Sequence, residues 1–174
     1  TQLDVTKKYQ TVDGQPVAFG ENTFNFVLTP ADGAPMPEGR DKLTVSTTDA
    51  EADLQKLLFD EITFSEDVGS ADKIYTYTIR EVIPAEGSAG WNPSVTYSTE
   101  VITAKVKVIK DDNNDLQVDS ITYALNGTPL AAREDPTITN IYTKPDPTET
   151  QLDVTKKYQT ADGEAVAFGE NTFN

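Results

Sequence analysis

Three residues that lie far apart in the sequence, Lys7, Glu81 and Asn140, carry groups that could react with one another if the fold brought them together. A neutral lysine amine is a nucleophile, a glutamate carboxyl can carry a proton, and an asparagine side chain has an electrophilic amide carbon. Attack of the Lys7 amine on the Asn140 amide carbon, with Glu81 as the proton shuttle, would expel ammonia and leave an isopeptide bond. Fixed geometry could replace most of the catalytic machinery, because well-oriented intramolecular reactants reach effective molarities of roughly 10⁵ M or more.

The alternation of apolar and polar residues predicts that all three side chains lie on the apolar faces of strands. Residues two apart in a strand share a face, and each of the three has apolar neighbours at this spacing. An unpartnered buried charge is costly, so we expect the three polar groups to satisfy one another. Burial lowers the pKa of a lysine ammonium and favours a neutral carboxylic acid, which could polarise the amide oxygen of Asn140. The apolar neighbours are Leu3 and Val5 for Lys7, Tyr75, Tyr77 and Ile79 for Glu81, and Ile138 and Tyr142 for Asn140.

Each of the three residues also has an unreactive interpretation. A bulge could shift the parity of a strand by one residue, and Lys7 would then protect an exposed strand edge. Glu81 could pair with Arg80 or a neighbouring lysine at the surface, and Asn140 could belong to a turn. The pattern alone leaves both interpretations open, although three such residues in the first, a middle and the last strand are harder to explain separately.

The elements that would position these residues are predicted to be strands. Alternating apolar residues, separated by clusters of Gly, Pro, Asp and Asn, indicate eight or nine strands, which is typical of an antiparallel β-sandwich. The acidic segment 111–115 and the pair Asn126-Gly127 mark tight turns between strands. The first and last predicted strands carry Lys7 and Asn140.

The secondary structure of three segments is less clearly indicated by the alternation of apolar and polar residues. Segment 49–58 has some helical character, because the spacing of its apolar residues fits a helix. These residues are Ala50, Leu54, Leu57 and Leu58. Leu57, Phe59 and the run Ile62-Thr-Phe64 are taken as one strand, and Val95 and Tyr97 are expected to lead directly into a long strand that reaches Val108.

Composition excludes several classes of function. The 174 residues include 14 Lys and Arg against 29 Asp and Glu, a net charge of −15, so no basic surface for nucleic acid is predicted. Cys and His are absent, which rules out disulfides, thiol nucleophiles, zinc fingers and Ser-His-Asp triads. No apolar run approaches 18 residues, so no membrane insertion is expected. A hydrolase has almost no support, and no cofactor is expected.

The acidic segment 111–115 has two interpretations. Its alternating Asp and Asn residues have the spacing of calcium ligands. However, Leu116 stands where a calcium loop has Gly, and Thr122 stands where such a loop has a bidentate Glu. A solvated hairpin turn is therefore preferred over a calcium site.

The chain contains an internal repeat. Residues 150–174 match residues 1–25 at 22 of 25 positions, with an offset of 149 residues. The spacing predicts a tandem array, with one domain over residues 1–143, a Pro-rich and charged linker over residues 144–149, and a truncated second repeat over residues 150–174. The alternative is one larger domain with a duplicated hairpin. The sequence starts and stops within the repeat pattern, so we expect it to be part of a longer protein.

Several motifs resemble the isopeptide-linked pilin repeat domain of Gram-positive surface proteins, the family of the streptococcal major pilin and the collagen-adhesin B-type domains. The resemblance covers residues 1–143, and it implies that Lys7 bonds to Asn140 with Glu81 as catalyst. It also implies an all-β, Ig-like antiparallel β-sandwich whose first and last strands are adjacent, parallel and covalently cross-linked. The motifs are LDVTKKY (3–9), ENTFNFVLTP (21–30), DEITFSE (60–66), YTYTIREV (75–82), VTYSTEVITAKVKV (95–108) and TITNIY (137–142).

The function that this resemblance implies is structural. The domain would be a stalk or pilus repeat of a cell-wall-anchored, extracellular adhesin of a Gram-positive bacterium, with neighbouring repeats as its partners and no enzymatic turnover. Segment 68–73 is longer than the equivalent turn of the family, and no pilin-polymerisation or cell-wall sorting motif is visible. An adhesin stalk is therefore at least as well supported as a pilus shaft. The alternative is a ligand-binding module whose loops 29–40 or 83–92 contact a host surface.

The cross-link would close a long loop, because Lys7 and Asn140 lie 133 positions apart. By the estimate made for disulfides, such a link is worth on the order of 4–5 kcal/mol. Lys156 is the equivalent lysine of the second repeat, but the short linker can barely span the roughly 26 Å back along a strand. Lys7 is therefore preferred, and we expect the tail, residues 150–174, to dock on a neighbouring molecule or extend along the fibre axis.

Overall fold

The computed structural model describes residues 1–65, 72–145 and 155–167. The chain forms two compact units, residues 1–144 and residues 145–174. The described part of the first unit contains ten strands and is otherwise built from turns and irregular segments. The strands are β1 (Asp4–Thr11), β2 (Asn25–Pro30), β3 (Leu43–Ser46), β4 (Leu54–Leu58), β5 (Lys73–Glu81), β6 (Val95–Thr96), β7 (Val101–Lys110), β8 (Leu116–Leu125), β9 (Thr128–Pro129) and β10 (Thr137–Tyr142).

The strands form two sheets that pack as a β-sandwich, which confirms the predicted fold class. The four-stranded sheet has the order β4-β1-β10-β6, and the six-stranded sheet has the order β3-β2-β5-β7-β8-β9. The first and last strands of the unit, β1 and β10, are hydrogen-bonded neighbours and run parallel. The other paired strands in the described part of the chain are antiparallel.

The core lies between the inner faces of the two sheets. Alternate residues of β5 and β7 are buried, as the period-2 pattern predicts for strands with one covered face. Burial of each large apolar side chain contributes about 1.5–3 kcal/mol. The buried residues of these two strands are Tyr75, Tyr77, Ile79 and Glu81 in β5, and Ile102, Ala104, Val106 and Val108 in β7.

The helical interpretation of segment 49–58 is wrong. Residues 54–58 form strand β4, which pairs antiparallel with β1 and places Leu57 opposite Val5. Leu57 is buried, whereas Leu54 and Leu58 are about half exposed. Leucine has a high helix propensity, but pairing with the interior strand β1 satisfies the backbone of this segment and overrides that propensity.

Two strand predictions are wrong in extent. Residues 59–65 are irregular rather than a continuation of β4, although Phe59 and Ile62 are fully buried. Their backbone N–H groups donate to Leu3 and Thr1 at 2.9 and 2.7 Å, so this irregular segment is tied to the chain just before β1. Residues 97–100 likewise interrupt the predicted strand between β6 and β7.

The acidic segment 111–115 is a hairpin turn between β7 and β8. The Asp111 carboxylate accepts the backbone N–H groups of Asn113 and Asp115, both at 2.9 Å, and Asn114 has a positive φ of 67°. This carboxylate is therefore used to cap the turn. Within the residues that the structure describes, no cluster of acidic, His or Cys side chains could hold a metal ion, and no helix is long and apolar enough to cross a membrane.

The described part of the second unit, residues 155–167, repeats a turn of the first unit. Lys156 is exposed there. The predicted linker residues 146–149 and the tail residues 150–154 and 168–174 lie outside the described residues, so docking of the tail stays a prediction. The matching turn contacts are Thr11 N to Gln15 O (2.8 Å) with Thr160 N to Glu164 O (2.9 Å), and Gly14 N to Thr11 O (2.9 Å) with Gly163 N to Thr160 O (3.0 Å).

Substitution Gly14→Ala tests this turn. Gly14 has φ +78°, and an added Cβ would meet no atom within 4 Å, so the cost is backbone strain alone. We expect a loss of about 1–2 kcal/mol and a fall of a few degrees in the melting temperature of the first unit, measured by circular dichroism. Gly163→Ala, in the second copy of the turn, is the matched control and should leave that transition unchanged. Equal shifts from both substitutions would contradict the assignment of the two turns to separate units.

Candidate functional site

Lys7, Glu81 and Asn140 meet between the two sheets. The Lys7 Nζ donates to Glu81 Oε2 at 2.9 Å, and the Asn140 Nδ2 donates to Glu81 Oε1 at 2.7 Å. One carboxylate therefore contacts both the lysine amine and the amide nitrogen of the asparagine. The structure brings together the three residues that strand parity had selected.

Strand pairing explains how these residues meet. In the parallel ladder of β1 and β10, Lys7 is opposite Ile138 and Tyr9 is opposite Asn140, so the two reactive residues are offset by two positions on the same face. Glu81 is the last residue of β5 in the facing sheet. A long lysine side chain can cover the two-residue offset, and the glutamate then bridges the interior from the other sheet.

The edge, surface and turn positions considered for these residues are not the ones they occupy. The strand that carries Lys7 lies between β4 and β10, so Lys7 does not protect an exposed edge. Lys7 and Asn140 have no solvent-exposed area, and Glu81 is buried as well. Asn140 lies within β10 rather than in a turn.

The surroundings of Lys7 are apolar. Its Nζ lies 4.4 Å from the centroid of the Phe24 ring and 5.8 Å from that of Phe26. Burial lowers the pKa of Lys7 from 10.5 to about 8, against the opposing effects of the carboxylates of Glu81 and Glu100, which raise it. A larger share of the amine is therefore neutral near physiological pH than for an exposed lysine.

The hydrogen bonds fix the orientation of the Asn140 amide. The backbone N–H of Ser98 donates to Asn140 Oδ1 at 2.8 Å. A backbone N–H can only donate, so the amide oxygen faces Ser98 and the amide nitrogen faces Glu81. This finding corrects one expectation from the sequence, because Glu81 contacts the amide nitrogen and does not polarise the amide oxygen.

Sequence reasoning missed Ser98. This residue lies in the interruption between β6 and β7, where strand parity has no meaning. Its hydroxyl accepts from the backbone N–H of Glu100 at 3.2 Å and donates to the Glu100 carboxylate at 3.1 Å, which forms a compact turn. The only signal in the sequence is the polar run Ser98-Thr-Glu100 within an otherwise alternating segment.

The arrangement has the parts of an acyl-transfer site. It contains an amine with a lowered pKa, an amide carbon, and a carboxylate in contact with both the nucleophile and the leaving nitrogen. Exclusion of water from such a site strengthens its electrostatic interactions and limits hydrolysis. Lys156, the equivalent lysine of the second copy, is exposed and belongs to the second unit.

Comparisons with known proteins agree with the fold. The family model described as FctA, the Spy0128-like isopeptide containing domain, matches residues 3–143. No curated protein sequence matches the chain. The crystal structure of the major pilin from Streptococcus pyogenes has a TM-score of 0.54 and 20% identity, and the match covers 81% of this chain and 50% of that chain.

Two further solved structures give the same result. An Asn-to-Ala mutant of the Streptococcus pyogenes major pilin has a TM-score of 0.54 at 19% identity, covering 81% of this chain and 50% of that one. The T3.2 major pilin from Streptococcus pyogenes serotype GAS13637 has a TM-score of 0.51 at 18% identity, and the match covers 81% of this chain and 52% of that chain. The chain thus spans about half the length of these pilins. At such identities the likeness shows the fold, and the family model shows the membership: the chain belongs to the FctA family of Spy0128-like isopeptide containing domains.

Proposed function

We propose that this chain is a structural repeat of a Gram-positive surface stalk or pilus, in which Lys7 and Asn140 become joined by an autocatalytic isopeptide bond. The observation that carries the proposal is the double contact of Glu81, at 2.9 Å to the Lys7 amine and 2.7 Å to the Asn140 amide nitrogen. This geometry suits a proton shuttle, because one carboxyl group can remove a proton from the attacking nitrogen and deliver one to the leaving nitrogen.

The reaction begins from the neutral amine of Lys7 and the carboxylate of Glu81. The amine lone pair attacks Cγ of Asn140, and the electron pair of the C=O π bond moves to Oδ1. The Glu81 carboxylate takes a proton from the attacking nitrogen, and the carboxylic acid formed in this way delivers the same proton to Nδ2. Re-formation of the C=O bond breaks the Cγ–Nδ2 bond, releases one molecule of ammonia and leaves Glu81 as a carboxylate.

The strand arrangement gives the bond a mechanical role. Because β1 and β10 are parallel neighbours, tension applied to the two ends of the unit would shear one strand past the other. A bond between Lys7 and Asn140 would carry this tension directly, and residues 8–139 would bear almost none of it. The absence of Cys in the sequence fits a cross-link that needs no oxidant.

The remaining parts of the proposal follow from this role. The domain would span residues 1–143, followed by a linker over residues 144–149 and a second repeat that starts at residue 150. Its partners would be neighbouring repeats on the extracellular, cell-wall-anchored surface. Bond formation occurs once per chain, so the domain would not be an enzyme with turnover. Contact of loops 29–40 or 83–92 with a host ligand stays a separate prediction.

Intact mass spectrometry tests the proposed bond. The folded chain should be lighter than its sequence mass by one ammonia. Glu81→Gln keeps the size of the side chain but removes the proton acceptor, and Lys7→Arg replaces the amine with a guanidinium that does not deprotonate. Both variants should keep the full mass.

Lys156→Arg is the matched control, because Lys156 lies in the same local sequence, Asp-Val-Thr-Lys-Lys-Tyr, as Lys7. This variant should still lose one ammonia. A folded wild-type chain that retains its full mass would contradict the proposal. Loss of the cross-link in Lys156→Arg would show that Lys156, and not Lys7, forms the bond.

A second prediction concerns the chain without the bond, made by Asn140→Ala. The folded chain releases the Lys7 proton near pH 8, whereas the unfolded chain holds it to about pH 10.5. Between these values the unfolded state carries more protons, so the Lys7 contribution makes the free energy of unfolding rise with pH. Two chains are compared by urea unfolding, Asn140→Ala alone and Asn140→Ala combined with Lys7→Met. From about pH 8 to about pH 10, we expect the free energy of unfolding of the first chain to rise by roughly 1–2 kcal/mol relative to that of the second.

The comparison cancels the other titrating groups, including Tyr9, whose pKa is raised to about 12 by burial, because both chains contain them. A difference between the two chains that is constant with pH, or that falls as pH rises, would contradict the lowered pKa of Lys7.

A further inference from the structure

We propose that the backbone N–H of Ser98 stabilises the oxyanion that forms on Asn140 when Lys7 attacks, an inference that rests on the proposed function. This N–H lies 2.8 Å from Oδ1, the atom that gains negative charge as the amide carbon becomes tetrahedral. Donors aimed in advance at a developing oxyanion are among the strongest contributions to acyl-transfer catalysis. Ser98 is therefore a catalytic residue through its main chain.

No other group described at this site serves the oxygen. Glu81 is occupied on one oxygen by the Lys7 amine and on the other by the Asn140 amide nitrogen. Asn140 is fully buried, so an unsupported negative charge on Oδ1 would carry a large desolvation cost. The N–H of Ser98 meets this requirement without adding a charge to the core.

The strand pattern explains why this N–H is available. The short ladder between β6 and β10 pairs Val95 with Tyr142 and Thr96 with Ile141, and it ends there. Beyond Thr96 the chain leaves the ladder, and the Ser98 N–H bonds to the Asn140 side chain instead of to the backbone of β10. A longer, regular strand at this position would use its N–H groups in the sheet.

The turn formed by Ser98 and Glu100 holds this donor in place. The Ser98 hydroxyl accepts from the Glu100 N–H at 3.2 Å and donates to the Glu100 carboxylate at 3.1 Å. These contacts make the Ser98 hydroxyl and the Glu100 side chain positioning groups. The orientation they impose also directs the leaving group, the amide nitrogen of Asn140, to Glu81, which supplies its proton.

Removal of the single N–H tests this role. Replacing the Ser98 residue with its α-hydroxy acid turns the amide into an ester, which deletes the N–H and keeps the side chain. The full chain, assembled by chemical ligation and kept in denaturant, has never folded, so dilution starts folding and cross-linking together. Fluorescence of Trp91, the one tryptophan, follows folding, and intact mass follows the loss of ammonia. We expect the ester to slow cross-linking about 10²–10³-fold after folding is complete.

The same ester substitution at Ser94 is the matched control. The Ser94 N–H donates to the amide oxygen of Asn92 at 2.9 Å, so its loss removes the same kind of hydrogen bond away from the reacting atoms. The Ser94 ester should fold and cross-link at the wild-type rate. An equal slowing by both esters, or wild-type cross-linking by a folded Ser98 ester, would overturn the role of Ser98.

A wild-type chain that folds without losing ammonia would instead overturn the proposed function itself. If the Ser98 ester does not fold, Ser98→Ala decides the question, because it keeps the N–H but loosens the turn. The role of Ser98 then requires slower cross-linking, by several-fold, together with faster hydrogen exchange of the Ser98 amide. An unchanged rate with faster exchange would overturn it.

Discussion

The burial of the Lys7 side chain is the constraint on which the site depends. An ammonium group close to two phenylalanine rings, with no exposed area, is stable only if its charge is compensated or removed. The Glu81 carboxylate provides the compensation across the sandwich at 2.9 Å. The same desolvation lowers the pKa of Lys7 to about 8 and so makes the amine available as a nucleophile.

This burial would also make formation of the proposed bond thermodynamically favourable. The unlinked domain holds a polar cluster in an apolar core, which is costly even when every member is paired. Conversion of the lysine amine to a secondary amide would remove the titrating group of Lys7 and would link β1 covalently to β10, its neighbour in the four-stranded sheet. The burial of Lys7 beside Asn140 therefore destabilises the domain before the bond forms, and the same burial would place the bond in the core of the linked domain.

Strand parity predicted Lys7, Glu81 and Asn140 because each lies within a regular strand whose faces alternate without a bulge at that point. Parity failed where regularity ended. The leucines of β4 fit both a helix and a strand, and only pairing with β1 decides between them. The position of Ser98 depends on where the β6 ladder stops, which follows from tertiary packing rather than from local sequence.

A crystal structure of the folded chain, at a resolution that separates bonded from non-bonded atoms, tests the bond between Lys7 and Asn140 most directly. We expect continuous electron density between Lys7 Nζ and Asn140 Cγ, with a planar amide and a C–N distance of about 1.33 Å. An intact Asn140 carboxamide, with the Lys7 Nζ at hydrogen-bonding distance from Glu81 and no density joining it to Cγ, would contradict the central claim.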